Sequence, residues 1–192
     1  NLKNVKRTVD HSVEELTKVI QEGVQSGKAI NGVLGTAFGC PFSKEVPVDR
    51  VLKVADAFVE AGAKEITLAD TTGLANPKQV KEIVSRFHKA FGENISLGLH
   101  FHNTRGLGIA NALSGYQAGV RRFDSSIAGL GGCPFAPKAV GNVCTEDLIN
   151  MFEQMDENTG TDLHKLIETA RWMEKQIERP LDGLLLKSSI ND

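Results

Sequence analysis

Apolar positions along the chain switch repeatedly between two periods. In HSVEELTKVIQEGVQSG, Val13, Leu16, Ile20 and Val24 recur at helical spacing, and Ser12 followed by Glu15 predicts a capping box at its start. AINGVLGTAFGC reads as a buried strand that ends in glycine near Gly39. PVDRVLKVADAFVEAG is the next helix, with Pro47 suited to its first turn and Gly62 to its stop. KEITLADTTG is a strand that ends on polar residues. NPKQVKEIVSRFHKAFG follows as a helix capped by Asn76, with Val80, Ile83, Val84 and Phe87 turned inward. ISLGLHFHNT is a strand, LGIANALSGYQAG a helix, and RRFDSSIAGLGG a strand again. Two helices are expected near 146–154 and 162–178, the second patterned by Leu163, Leu166, Ile167, Ala170 and Ile177. The tail RPLDGLLLKSSIND reads as a strap or lid.

Strands alternating with amphipathic helices imply βαβ units and a parallel sheet. Four strands are visible, which fits an open doubly wound sheet or part of a (β/α)8 barrel. Polar residues gather just past the strand ends: Asp70-Thr71-Thr72, Asn103-Thr104-Arg105 and Gly131-Gly132-Cys133. Parallel α/β folds build their sites at that rim. No GxGxxG or Walker-type loop follows a strand, which weakens the nucleotide-binding open sheet.

Composition narrows the partners. The chain has 192 residues, 41% of them hydrophobic, enough for one domain with a sizeable core. A net charge of -2 gives no basic field for nucleic acid, and the apolar runs are too short to span a membrane. The opening NLKNVKRTVD is polar and basic, so no secretory leader is expected in it. Three cysteines without a short CxxC pair argue against a disulfide framework and point to a reducing compartment.

His100 and His102 stand two apart on a strand, so their side chains share a face and can converge on one divalent ion. The competing reading is two ordinary packed histidines. Asp70 is either a turn residue or a carboxylate that handles a proton at the same rim. Cys133, after two glycines, is a small apolar filler or a thiol on a flexible loop that acts as nucleophile or proton donor. Asn142 is a turn residue or an oxygen ligand for a hard cation. Cys40 and Cys144 read as ordinary buried thiols, and Glu146 and Asp147 as first-turn acids that favour the helix dipole. Two imidazoles with oxygen donors suit Mg²⁺, Mn²⁺ or Zn²⁺. With a thiol and a carboxylate nearby, that set points to proton-transfer carbon chemistry rather than phosphoryl transfer.

The segment SSIAGLGGCPFAPKAVGNVCTEDL resembles the signature loop of the 3-hydroxy-3-methylglutaryl-CoA lyases. The resemblance runs through FGCPF, ITLADTTG and HFHNTRG and so covers nearly the whole chain. The His-x-His motif marks the wider group of metal-dependent lyases and Claisen-type synthases on a (β/α)8 barrel, and the Gly-Gly-Cys-Pro loop marks the lyases. The resemblance implies cleavage of 3-hydroxy-3-methylglutaryl-CoA to acetyl-CoA and acetoacetate. It also implies His100, His102 and Asn142 as ligands of Mg²⁺, Mn²⁺ or Zn²⁺, and Cys133, His100 and Asp70 as catalytic residues. An acyl-CoA substrate, a homo-oligomer, and a location in a bacterial cytoplasm or the mitochondrial matrix are expected. Alternatives are a synthase joining acetyl-CoA to a 2-oxo acid, or a catalytically incomplete half-barrel.

Two stretches depart from the family pattern. Asn103-Thr104-Arg105 replaces Asp-Thr-Tyr, and Val140 stands where a small serine is usual. The family's opening strand, with its Arg-Asp-Gly motif carrying another metal ligand and an arginine, has no counterpart here. The 192 residues are therefore expected to form the later half of the barrel as a single catalytic domain.

Overall fold

The computed structural model describes residues 1–132 and 141–188. Its sheet has four strands, β1 (Asn31–Leu34), β2 (Glu65–Asp70), β3 (Ser96–Phe101) and β4 (Arg122–Asp124). All neighbours run parallel, in the spatial order β1-β2-β3-β4. That sequential order separates the two architectures left open above. A doubly wound sheet reverses its strand order at a switch point. Here every crossover steps the same way, as along the wall of a (β/α)8 barrel.

The crossover helices follow the pattern with local corrections. After a single turn at α1 (Leu2–Val5), α2 spans Val9–Gln25. It begins one turn before the expected Ser12–Glu15 box, because the Thr8 side chain accepts the His11 N–H and caps it instead. Of the expected apolar stripe only Ile20 is fully buried; Leu16 is 46% exposed and Val24 40%. α3 (Val48–Glu60) buries Val51, Ala55 and Phe58, and Pro47 serves as its N-cap rather than inside the first turn. α4 (Pro77–Phe91) matches its reading closely: Asn76 accepts the Gln79 N–H, and Val80, Ile83, Val84 and Phe87 are buried. Each such large side chain removed from water contributes roughly 1.5–3 kcal/mol. α5 (Gly108–Gln117) leads to β4, and α6 (Thr145–Glu153), α7 (Leu163–Ile177) and α8 (Leu184–Lys187) complete the chain.

Two strands are shorter than their sequence reading. β1 stops at Leu34, since Thr36 takes a positive φ of 58° and turns the chain away. β4 has three residues and passes into a 3-10 turn, Ile127–Gly129. The tail behaves as a strap: Leu181 is buried, and the Leu184 and Leu185 N–H groups donate to the Asp147 carboxylate at 2.9 and 3.0 Å.

The sheet has two unlike faces. Gly32, Ile66, Leu68 and Leu99 pack toward the helices. The other face carries polar residues, and at its N-terminal end Arg122 lies across the strands. Its Nη2 donates to Thr67 Oγ1 (2.8 Å) and Asn31 Oδ1 (3.2 Å), and it pairs with Glu65. A glycine at 98 makes room for it, because a Cβ there would sit 2.7 Å from Arg122 Nε. No helix among the described residues is long and apolar enough to cross a membrane.

Candidate metal and active site

His100 lies near the end of β3 and His102 just past it, and strand alternation puts both imidazoles on the inner face. Their ring centroids are 5.3 Å apart at an interplanar angle of 71°. The chain returns beside them some forty residues later. Asn103 N–H donates to Gly141 O, Val143 N–H donates to Phe101 O, and His102 and Asn142 form an antiparallel bridge. Ser126, just past β4, pairs with Cys144 on the other side. The 141–144 segment thus plugs the rim between the ends of β3 and β4 and carries Asn142 to the histidines.

Asn142 is held from one side only. Its Nδ2 donates to Leu130 O at 2.7 Å, while its Oδ1 is buried with no hydrogen-bond partner among the described residues. Gly131 permits this seat: its φ is +116°, and a Cβ there would lie 2.5 Å from Asn142 Nδ2. A buried amide oxygen without a donor forfeits roughly 1–3 kcal/mol unless something fills it. His100 stands in register with Asp124 of β4, on the side of the rim that the 141–144 segment closes. Burial first, then the neighbouring His102, holds the His100 pKa below its ordinary value, with Asp124 and Asn142 opposing. A neutral imidazole is the ligating form.

These residues fit a hard or borderline divalent cation. One buried amide oxygen has no hydrogen-bond partner among the described residues, and the strand that carries both imidazoles runs beside it. No group of three His, Cys, Asp or Glu side chains among the described residues is arranged to hold a metal, so the amide is needed as the third donor.

Asp70 sits at the end of β2, fully buried. Its two oxygens accept the Leu74 and Ala75 N–H groups at 2.9 and 3.1 Å and tie down the loop that leads to α4. Burial raises its pKa, opposed by those two hydrogen bonds and by His102 and Arg105 nearby. Cys133 and Val140 lie outside the described residues. Cys144 is buried, and burial, followed by the charges of Asp147 and Glu146, pushes its thiol well above the usual range. Cys40 is only partly buried.

Three residues matter more than the sequence reading gave them. Arg105 Nη1 donates to Gly73 O at 3.1 Å and locks the loop after β3 onto the loop after β2. Glu146, read as a first-turn acid, has no exposed surface, and its Oε2 accepts the Ala128 N–H at 3.0 Å. It holds Ala128 in a left-handed conformation (φ 51°) just ahead of the glycines. Asp124 is the register partner of His100. The i, i+2 alternation of Arg122 and Asp124 is the signal that could have found it.

Comparison with known proteins places this geometry. The family model HMGL-like matches residues 1–173. The chain belongs to the HMGL-like family. A hydroxymethylglutaryl-CoA lyase of Bacillus subtilis is 40% identical over 94% of this chain and 60% of its own length. An (R)-citramalyl-CoA lyase of Chloroflexus aurantiacus is 41% identical over 98% of this chain and 59% of its own. The crystal structure of an HMG-CoA lyase from Acinetobacter baumannii, in complex with coenzyme A and 3-methylmalate, superposes with a TM-score of 0.93. It is 43% identical and covers all of this chain and 62% of its own. The chain thus spans about 60% of the length of the relatives it matches. The sequential parallel sheet of this HMGL-like chain is an arc of that family's (β/α)8 barrel.

Proposed function

We propose that the protein is a divalent-metal-dependent carbon–carbon lyase acting on a 3-hydroxyacyl-CoA, with 3-hydroxy-3-methylglutaryl-CoA as substrate. The observation that carries this reading is the unpartnered Asn142 Oδ1 beside two strand-end imidazoles, in a chain 40% identical to a hydroxymethylglutaryl-CoA lyase. The 3-hydroxyl gives its proton to solvent water, the C2–C3 bond breaks, and the electron pair leaves on C2 as the enolate of acetyl-CoA. Acetoacetate departs as the ketone, and a proton delivered to C2 completes acetyl-CoA.

His100, His102 and Asn142 would hold Mg²⁺, Mn²⁺ or Zn²⁺, and the bound cation supplies Lewis-acid polarisation of the substrate oxygens. A neutral imidazole has one nitrogen with a free lone pair, so His100 either ligates or accepts the hydroxyl proton, not both. We assign it to the cation. Asp70, with both oxygens committed to its own loop, acts on the site by holding that loop and the charge beside His102. Cys133, on the glycine-rich loop, is the proton donor to C2. The enzyme works as an oligomer with an acyl-CoA as its small-molecule partner.

A second substrate has specific support in the 41% identity to an (R)-citramalyl-CoA lyase. Citramalyl-CoA also carries a tertiary 3-hydroxyl with a methyl group, and the same bond cleavage gives acetyl-CoA and pyruvate. Offering both thioesters to the full-length protein with Mg²⁺ or Mn²⁺, and quantifying acetyl-CoA, acetoacetate and pyruvate, decides between them. Chelator-sensitive release of acetoacetate is expected, together with its loss in Cys133→Ala. Turnover of neither thioester, or turnover indifferent to chelator, rejects the proposal.

A further inference from the structure

We infer that Asp124 is a positioning residue of the candidate cation site, flanking His100 and supplying through its side chain the negative charge that His100, His102 and Asn142 lack. The inference rests on the metal-dependent reading above and extends it to a residue outside the proposed ligand and catalytic set. The first ground is register. His100 on β3 pairs directly with Asp124 on β4, and paired residues in adjacent strands send their side chains to the same face about 5 Å apart. The Asp124 carboxylate therefore stands beside the His100 imidazole on the inner face. The second ground is place: Ser126, two residues past Asp124, pairs with Cys144 beside Asn142, so β4 brings Asp124 to the strand ends where the proposed donors meet. Asp124 thus flanks the imidazole with an anion.

The third ground is charge. Two imidazoles and an amide are neutral donors, and the affinity of oxygen-rich divalent sites depends on how many ligand charges surround the ion. The other carboxylates near this face are committed. Asp70 serves Leu74 and Ala75, Glu146 serves Ala128, and Glu65 pairs with Arg122. Asp124 is exposed and forms no ion pair with a lysine or arginine among the described residues. It is the carboxylate left with its charge available to the rim.

The test is calorimetric titration of the full-length apo-protein with Mn²⁺ alone. Asp124→Asn keeps the shape and the main-chain oxygen and removes the charge. Mn²⁺ affinity is expected to fall about 10–100-fold, with the apo-protein's thermal midpoint unchanged, and Asp124→Glu to restore most of the loss. Affinity within threefold of wild type in Asp124→Asn overturns the inference, as does a wild-type protein that binds no Mn²⁺. A readout free of variants covers a misfolded mutant. Mn²⁺ must broaden the Asp124 side-chain ¹³C carboxylate resonance of the wild-type protein along with the His100 and His102 imidazole resonances, and an Asp124 resonance left sharp overturns the inference. A protein that binds Mn²⁺ in this Asp124-dependent way but cleaves neither thioester rejects the proposed reaction and leaves this inference standing.

Discussion

The inner face of the sheet is polar at both ends, and the two ends treat their polar groups differently. At the floor, Arg122, Thr67 and Asn31 satisfy one another across β1, β2 and β4, and Glu65 offsets the guanidinium charge. At the rim, among the described residues, Asn142 Oδ1 has no hydrogen-bond partner and the Asp124 carboxylate has no ion pair with a lysine or arginine. A closed network stabilises a fold and asks nothing of solvent or ligand. An open one is costly to bury and persists where a ligand closes it. The contrast teaches that polarity alone does not mark a site; leftover hydrogen-bonding capacity does.

The comparison breaks if rim and floor variants behave alike. The largest effect is expected at the rim. His102→Ala in the full-length protein is expected to lower kcat/KM for the cleaved thioester about 10³-fold, equivalent to about 4 kcal/mol of transition-state stabilisation. Its urea midpoint is expected to move little. His100→Ala sharpens the role assignment: Mn²⁺ affinity lost together with activity marks a ligand, and affinity retained without activity marks a base.

The floor should respond the other way. Arg122→Met removes one charged partner from a network that is 27% exposed at the arginine. A stability loss of about 2 kcal/mol by urea denaturation is expected, below the fully buried limit because water screens part of the network. Mn²⁺ affinity should stay within about threefold. A floor variant that loses the metal while keeping its stability would erase the distinction between the two ends.

Asp70→Asn tests the loop between them. Asparagine retains one acceptor where aspartate has two, so one of the Leu74 and Ala75 N–H groups loses its partner. A cost of about 1–2 kcal/mol is expected, read as faster amide exchange at residues 71–75.

The smallest effect concerns Glu146. Burial raises its pKa above the usual 4.5, and Oε1 has no partner. A carboxyl whose folded pKa is raised contributes stability that is complete below about pH 4.5 and is lost as pH rises through the folded value. Glu146→Gln keeps an acceptor for Ala128 and removes the buried charge. It is expected to be more stable than wild type by about 1 kcal/mol at pH 7, with the difference vanishing near pH 4.5. A difference that grows on acidification would contradict the burial argument.

Legibility in the sequence follows how local each determinant is. α4 was readable in full because its cap, its first-turn proline and its apolar stripe are all within one helix. The histidine pair was readable because strand alternation is a local rule. The start of α2 was misread because Ser12 and Thr8 both offer a capping side chain, and only the folded backbone selects one. The exposed Leu16 and Val24 show that an apolar stripe marks a face without saying what covers it. The approach of Asn142 to His102 needs the whole return path from β4, which no spacing rule encodes. Asp124 and Arg122 depend on the pairing of β3 with β4, so their roles emerge only with the register.

The sequential strand order also sets how this chain can form. Asn31 pairs with Glu65, Glu65 with Ser96, and Gly98 with Arg122, so each strand finds its neighbour within about 35 residues of sequence. Each new strand–helix unit docks on the edge left by the unit just before it, and loop-closure entropy stays modest at every step. The wall of the barrel grows by accretion, and the rim receives its asparagine only once the last strand is seated.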